Sequence, residues 1–206
     1  MKTVDPTKAF YNAHADEFEK NTHSRGRKVL LNRFSAMLPA GGGALDLGCA
    51  YGRDSVTFVK KGFKVTGVDF SATLIAKARR RVRPANFLVQ DIRRLRLPKA
   101  SFDGIWATAV LLHLSKKDLP PVLKKLHQLL RRGGTLCVGI YLGKGEGFIK
   151  DRRYKGAKKY YSYFTEPEIK KFLQDAKFNI LHFEIRPPDS YETHRVVELL
   201  ARKPLD

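Results

Sequence analysis

The 206 residues are 43% hydrophobic and 11% aromatic, enough for a packed core and too apolar for wholesale disorder. Forty Lys and Arg against twenty Asp and Glu give a net charge of +20, a field that gathers polyanions or acidic small molecules without naming either. No apolar run reaches the roughly eighteen residues that cross a bilayer. The opening Met1-Lys2-Thr3-Val4-Asp5-Pro6 lacks the apolar stretch of a secretory signal. Two cysteines, Cys49 and Cys137, without a Cys-x-x-Cys pair, argue against a zinc site or disulfide frame and fit a reducing, cytoplasmic setting.

In chain order, residues 7–21 are expected to be helical, opened by Asp5-Pro6, and so are residues 25–38. After the Gly41-Gly42-Gly43 turn, strand-like and helix-like segments alternate. Strands are expected at 44–48, 64–69, 86–90, 102–108 and 134–141. One helix should start near Ser115, where Ser115-Lys116-Lys117-Asp118 reads as a capping box, and bury Leu119, Val122, Leu123, Leu126, Leu129 and Leu130. Another opens at Thr165-Glu166-Pro167-Glu168 and buries Ile169, Phe172, Leu173 and Ala176. Such alternation implies crossover units and a mostly parallel sheet covered on both faces. The tail breaks the rhythm: residues 178–185 and 194–201 are strand-like with no room for a crossover helix between them, so they should pair antiparallel.

Strand one runs straight into Asp46-Leu47-Gly48-Cys49-Ala50-Tyr51-Gly52-Arg53-Asp54. A strand, a glycine turn and a helix start let a ligand approach the backbone closely, with N–H groups pointing outward. Twenty-three residues beyond Asp46, Asp69 ends strand two, where a carboxylate can accept both hydroxyls of a ribose. Gly48 and Gly52 stand four apart with Ala50 between them, which fails the dinucleotide fingerprint and disfavours a nicotinamide cofactor.

These segments resemble the class I S-adenosylmethionine-dependent methyltransferases. Asp46, Gly48 and Gly52 match that family's acidic residue followed by Gly-x-Gly-x-Gly, with Ala50 in the place of the middle glycine. The match continues at Asp69, at Gln90-Asp91-Ile92, at Phe102-Asp103-Gly104-Ile105-Trp106, at Leu111-Leu112-His113-Leu114 and at residues 130–136. The resemblance implies an α/β fold, a doubly wound, mostly parallel seven-stranded sheet with an antiparallel C-terminal strand beside the fifth. It implies one methyltransferase domain over 1–206: an N-terminal helical lid (1–40), a cofactor-binding core (44–141), a substrate-side insertion (143–164) and a C-terminal helix with a strand pair (165–206). The implied cofactor is S-adenosyl-L-methionine, leaving as S-adenosyl-L-homocysteine. It would be held by Tyr11 from the lid and by Asp46, Gly48, Ala50, Gly52, Arg53, Asp69, Phe70, Asp91, Ile92, Ala107 and Thr108. Each acid keeps a plainer reading: Asp46 as a cap of the glycine loop, Asp69 as a strand-end turn residue, Asp91 as an N-cap. Lys177 stands where the family's late helix commonly ends in glycine.

Methyl transfer from a sulfonium is an in-line displacement, so the protein chiefly aligns the reactants and excludes water. An oxygen or protonated nitrogen acceptor also needs a base near the end of strand four or five. His113 is the leading candidate and Tyr141 the second; the alternatives are that His113 packs on the following helix and Tyr141 walls the pocket. His14, His23, His127, His182 and His194 are placed less well. Ala107-Thr108-Ala109-Val110 lacks the Asp/Asn-Pro-Pro-Tyr pattern of DNA-adenine enzymes, and the acidic set of metal-dependent catechol-type enzymes is missing, so no metal is expected. Cys49 and Cys137 read as small apolar residues, not as nucleophiles.

Residues 143–164 interleave cations with tyrosines, which suits an anionic or aromatic acceptor, an RNA base clamp, or a solvated flap. Lys60, Lys61, Arg79, Arg80, Arg81, Arg83, Arg131 and Arg132 should lie on the face opposite the site. Arg53, Arg93, Arg94, Arg96, Lys150, Arg152, Arg153, Lys155, Lys158 and Lys159 should lie near its mouth. Three functions remain open: methyl transfer to O or N of a small acceptor, the same chemistry on RNA (the Leu-Leu-His-Leu and tyrosine-rich segments look somewhat like tRNA wobble-uridine methyltransferases), or a non-catalytic cofactor-binding partner protein. No membrane partner is expected.

Overall fold

The computed structural model describes residues 5–22, 27–188 and 194–205, without the side chain of Arg152. The Asp5 carboxylate accepts the N–H groups of Thr7 and Lys8 and so opens α1 (Pro6–Ala13), with proline where no hydrogen bond is lost. The single helix expected over 7–21 is divided: at His14 the backbone leaves the helical region (φ −110°, ψ 24°), and α2 (Ala15–Thr22) follows. Next comes α3 (Lys28–Ala36). His23, together with residues 25 and 26 of the expected second helix, lies outside the described residues.

The alternation then proceeds as β1 (Gly43–Leu47), α4 (Arg53–Lys60), β2 (Lys64–Asp69), α5 (Ala72–Arg81), β3 (Asn86–Val89) and β4 (Phe102–Thr108). After α6 (Leu119–Leu129) come β5 (Leu130–Leu142), β6 (Glu146–Asp151), β7 (Ala157–Phe164), α7 (Glu166–Asp175), β8 (Asn179–Arg186) and β9 (Val196–Arg202). Strands β3-β2-β1-β4-β5 are parallel neighbours, with β9 antiparallel to β5 and β8 antiparallel to β9. That is the doubly wound seven-stranded arrangement with its antiparallel C-terminal strand. The link at 189–193, part of the expected turn, lies outside the described residues.

The insertion brings two strands more, making nine among the described residues. Tyr141 pairs with Val196 of β9 on one edge and with Tyr163 of β7 on the other, while the β4 pairing ends at Thr108↔Gly139. The β6–β7 hairpin therefore continues the β4-side edge of β5 beyond the end of β4. It projects over the carboxyl ends of the strands, where ligands of such sheets bind.

Side-chain alternation assigns the core. Leu45, Leu47, Ile105, Ala107, Leu136, Val138 and Ile140 face one side, under the apolar stripe of α6. Ala44, Trp106 and Cys137 face the other, against Leu30, Leu31, Phe34 and Phe58. Helix α6 starts at Leu119 and not near Ser115, because Ser115 to Asp118 closes a turn of its own: Ser115 Oγ donates to Asp118 Oδ2 and accepts the Asp118 N–H. The capping box at Thr165 and Glu168 is formed in full. Strand β5 begins four residues earlier than expected, pairing Leu130 with Phe102 before a register shift carries it past Gly133 and Gly134.

Candidate active site

A cavity of about 670 Å³ opens at the carboxyl ends of β1, β2, β4 and β5, under α1 and the hairpin. Of the expected site residues, Tyr11, Asp46, Gly48, Ala50, Arg53, Asp69, Phe70, Asp91, Ile92, Thr108, His113 and Tyr141 line it. Gly52 and Ala107 do not. Gly52 packs behind the loop on Ala78 and Val82, and Ala107 is sealed inside the sheet.

The glycine loop offers closeness more than donors. The N–H groups of Gly48 and Cys49 go to the Val68 carbonyl, that of Ala50 to Asp69 Oδ2 at 3.0 Å, and that of Gly52 to the Cys49 carbonyl. The outward-pointing N–H groups expected there are thus spent within the loop at these four positions. At Gly48 (φ +71°) a Cβ would come within 2.6 Å of the Val110 side chain, so glycine is what lets Val110 pack closely on the loop beside the cavity.

Four carboxylates stand in this half. Asp69 also accepts the Ser71 N–H at 2.8 Å through Oδ1, and burial pushes its pKa up to about 6. Ser71 Oγ in turn donates to Asn12, tying α1 to the end of β2. Asp46 accepts Ser55 Oγ at 2.6 Å, and burial, then the charge of Asp54, pushes its pKa up to about 7. Burial also works to raise Asp54, yet the Arg53 fork and the Trp106 indole N–H hold it below its ordinary value. Asp91 accepts the Arg93 N–H as a cap and is gripped by the Arg93 guanidinium, which also reaches Asp5 at 2.9 Å. Asp69 and Asp91 therefore make the plainer contacts considered for them while facing the cavity.

His113 sits in a short 3-10 turn after β4. Its Nδ1 lies 2.7 Å from the Tyr160 carbonyl and its Nε2 lies 2.9 Å from Tyr11 Oη. A carbonyl can only accept, so Nδ1 carries the proton and Nε2 accepts the Tyr11 hydroxyl. Burial pushes the pKa of His113 down to about 4, with the positive charge of Lys159 adding to the effect. Tyr141 stacks with Tyr161, Tyr163 and His194 at centroid distances of 5.8, 6.3 and 5.2 Å, forming a wall. His14, His127, His182 and His194 do not line the cavity. Cys49 and Cys137 are buried thiols whose pKa burial pushes up, as small core residues would be.

Sequence reasoning missed part of the lining. Glu198 of β9 lies 3.3 Å from both Arg27 Nε and Arg186 Nε, closing one side. Tyr161 adds an aromatic wall. Lys159, counted only as one of the cations at the mouth, is buried inside it, whereas Lys150, Lys155 and Lys158 of the same cluster point to solvent. Along β7 successive side chains alternate between faces, which sets Lys158 and Lys159 apart, while which of the two is buried depends on the register with β5.

Residues 44–134 match the family model of a methyltransferase domain. The chain is 33% identical over 133 residues to the 27-O-demethylrifamycin SV methyltransferase of Amycolatopsis mediterranei, covering 60% of this chain and 48% of that one. It spans about half the length of the curated relatives it matches. In fold it is similar to a Methanosarcina mazei S-adenosylmethionine-dependent methyltransferase (TM-score 0.75, 22% identity, 83% of this chain and 96% of that one). It is also similar in fold to the Burkholderia thailandensis 1,6-didemethyltoxoflavin-N1-methyltransferase, solved with bound 1,6-didemethyltoxoflavin and S-adenosylhomocysteine (TM-score 0.68, 23% identity, 99% of this chain and 92% of that one). The ordered motifs, the strand order and these matches agree: residues 44–134 are similar to methyltransferase domains, and the fold is that of S-adenosylmethionine-dependent methyltransferases.

Proposed function

We propose that this protein transfers a methyl group from S-adenosylmethionine to an oxygen or nitrogen of a small acceptor. The observation that carries this reading is the single cavity joining the Gly48–Ala50 floor and Asp69 to His113, Tyr11 and Lys159. The residues present fit the cofactor. Gly48 and Ala50 present backbone and a single methyl group to the cavity, and Asp69 keeps acceptor capacity on both oxygens for ribose hydroxyls. Phe70 and Ile92 would flank the base, with Asp91 beside it, while Asp46 and Arg53 would face the amino-acid end. When bound, the cofactor supplies a methyl group on a sulfonium that is its own leaving group.

The remaining work falls to the chain. Residues 5–22 serve as a lid, fastened by Asp5 to Arg93, Asn12 to Ser71 and Thr7 to Tyr160, and so keep water out. Tyr11 Oη takes the proton of the acceptor as its own proton passes to His113 Nε2, and the Nδ1–H bond to Tyr160 keeps that lone pair aimed. Tyr141 and Tyr161 wall the acceptor. Two free buried cysteines fit a reducing, cytoplasmic setting.

Small-molecule methylation by the rifamycin and toxoflavin enzymes favours a small acceptor. A screen with labelled methyl donor, offering a metabolite extract and total tRNA in parallel, tests this: label in the tRNA pool alone would refute it. Calorimetric titration with S-adenosylhomocysteine tests the site. Asp69→Ala should weaken binding by about 1–3 kcal/mol through unpaired ribose hydroxyls, and unchanged affinity would remove that assignment.

A further inference from the structure

Lys159 is an unusual lysine. It lies in β7 with 1% of its surface exposed, yet it lines the cavity. Its Nζ is 2.8 Å from Asp151 Oδ2, and among the described residues no other carboxylate pairs with it. Asp151 is not its own to use: Arg153 Nε holds Oδ1 at 2.8 Å and Arg153 Nη2 holds Oδ2 at 2.7 Å. One carboxylate therefore serves both Lys159 and Arg153. Around the ammonium stand four rings, with centroids at 4.3 Å (Phe10), 5.0 Å (Tyr154), 5.6 Å (Tyr11) and 5.6 Å (Tyr161).

An ammonium has three N–H donors, and Asp151 takes one. The ring faces offset part of the lost hydration, but a buried cation with a single, shared carboxylate partner remains costly. Burial accordingly pushes the pKa of Lys159 down to about 8. What would complete this site is an anionic oxygen arriving from the cavity, and the tyrosine rings beside Lys159 suit a flat body behind that oxygen.

We propose that Lys159 anchors the methyl acceptor: its ammonium binds an anionic oxygen of a flat substrate, a carboxylate or phenolate, between the rings of Tyr11 and Tyr161. This rests on the methyltransferase reading and narrows its substrate class. The anchor lies beside the Tyr11–His113 pair, so the atom to be methylated is presented next to the group that takes its proton.

The test is calorimetric titration of the protein loaded with S-adenosylhomocysteine, using benzoate, 4-nitrophenolate and the uncharged benzamide as probes. Benzoate, 4-nitrophenolate or both should bind at least tenfold more tightly than benzamide, showing which anionic group the anchor prefers. Lys159→Met should abolish that preference, and Lys159→Arg should keep part of it, while affinity for S-adenosylhomocysteine stays unchanged in both. The wild-type comparison decides the matter even if a variant fails to fold. Equal binding of charged and uncharged probes to the loaded wild-type protein overturns the anchor and leaves the methyltransferase reading standing. No binding of S-adenosylhomocysteine to the wild-type protein overturns both.

Discussion

At the glycine-loop end of the cavity, burial pushes two acids up, Asp46 to about 7 and Asp69 to about 6. At the hairpin end the same desolvation pushes two bases down, His113 to about 4 and Lys159 to about 8. Each group is driven toward its neutral form, and the two ends differ in what relieves the cost. Asp46 and Asp69 are relieved by hydroxyl and N–H donors, from the chain and in our reading from the cofactor. Lys159 has one shared carboxylate and waits for a second oxygen. Such a cavity takes hydroxyls and a cationic sulfur at one end and an anion at the other.

The largest expected effect tests the hairpin end. His113→Ala removes the acceptor of the Tyr11 proton, and turnover should fall by about two to four orders of magnitude, as expected for a lost general base. Affinity for S-adenosylhomocysteine should hold, because the hydrogen bonds of His113 go to Tyr11 and Tyr160 and not to Asp69 or the glycine loop. Steady-state turnover and calorimetry on the same preparation check both parts. Intact turnover would return His113 to a packing role, tying the hairpin to α1 through Tyr160 and Tyr11.

A smaller effect separates the two ends by pH. Asp69 takes up its proton at about 6 in the folded chain and near 3.9 when unfolded. Between those values the folded state binds the extra proton, so stability falls as pH rises from about 4 to about 6 and stays lowered above. Asn at this position cannot ionise. The stability of the wild-type chain relative to Asp69→Asn should therefore drop by about 3 kcal/mol across that window, read by denaturant titration at each pH. His113 contributes with the other sign: its folded pKa lies below the ordinary 6.5, so stability is lost as pH falls from 6.5 toward 4. The two slopes oppose each other in the wild-type chain, and only the difference against the variant exposes either. A flat difference for Asp69→Asn would mean that its carboxyl is not desolvated.

The same division explains what could be read beforehand. The glycine-loop end is local: Asp46, Gly48 and Ala50 sit within five residues, and Asp69 closes the next strand, so spacing alone placed them in one crevice. The doubly wound order followed from strands and helices in alternation. The hairpin end is assembled from afar. Tyr11 and His113 meet across 102 residues, and Lys159 is buried because β7 pairs with β5 in one register. A one-residue slip would expose Lys159 and bury Lys158. No pattern within 143–164 states that register, since its strand neighbours are supplied by the end of β5 and by β6. The basic run therefore read as a uniform cluster at the mouth, although its members lie on opposite faces.

The smallest effect asks whether unfavourable backbone geometry serves the site or is merely tolerated. Ala50 (φ +48°) and Lys177 (φ +64°) both occupy the left-handed region that favours glycine, one in the cavity floor and one just after α7. Lys177 closes its helix, with its N–H on the Gln174 carbonyl and the Phe178 N–H on the Leu173 carbonyl. Glycine there should stabilise the chain by about 1 kcal/mol and leave cofactor affinity untouched. Ala50→Gly should give a similar gain in stability, because the Ala50 N–H bond to Asp69 demands that backbone conformation whichever residue supplies it. It also removes a methyl group from a cavity-lining position, so affinity for S-adenosylhomocysteine should rise only if the alanine crowds the cofactor. Thermal melts of both variants, with calorimetry on Ala50→Gly, separate the two contributions. Equal melts with unchanged affinity would mean that the loop accepts alanine at no functional cost.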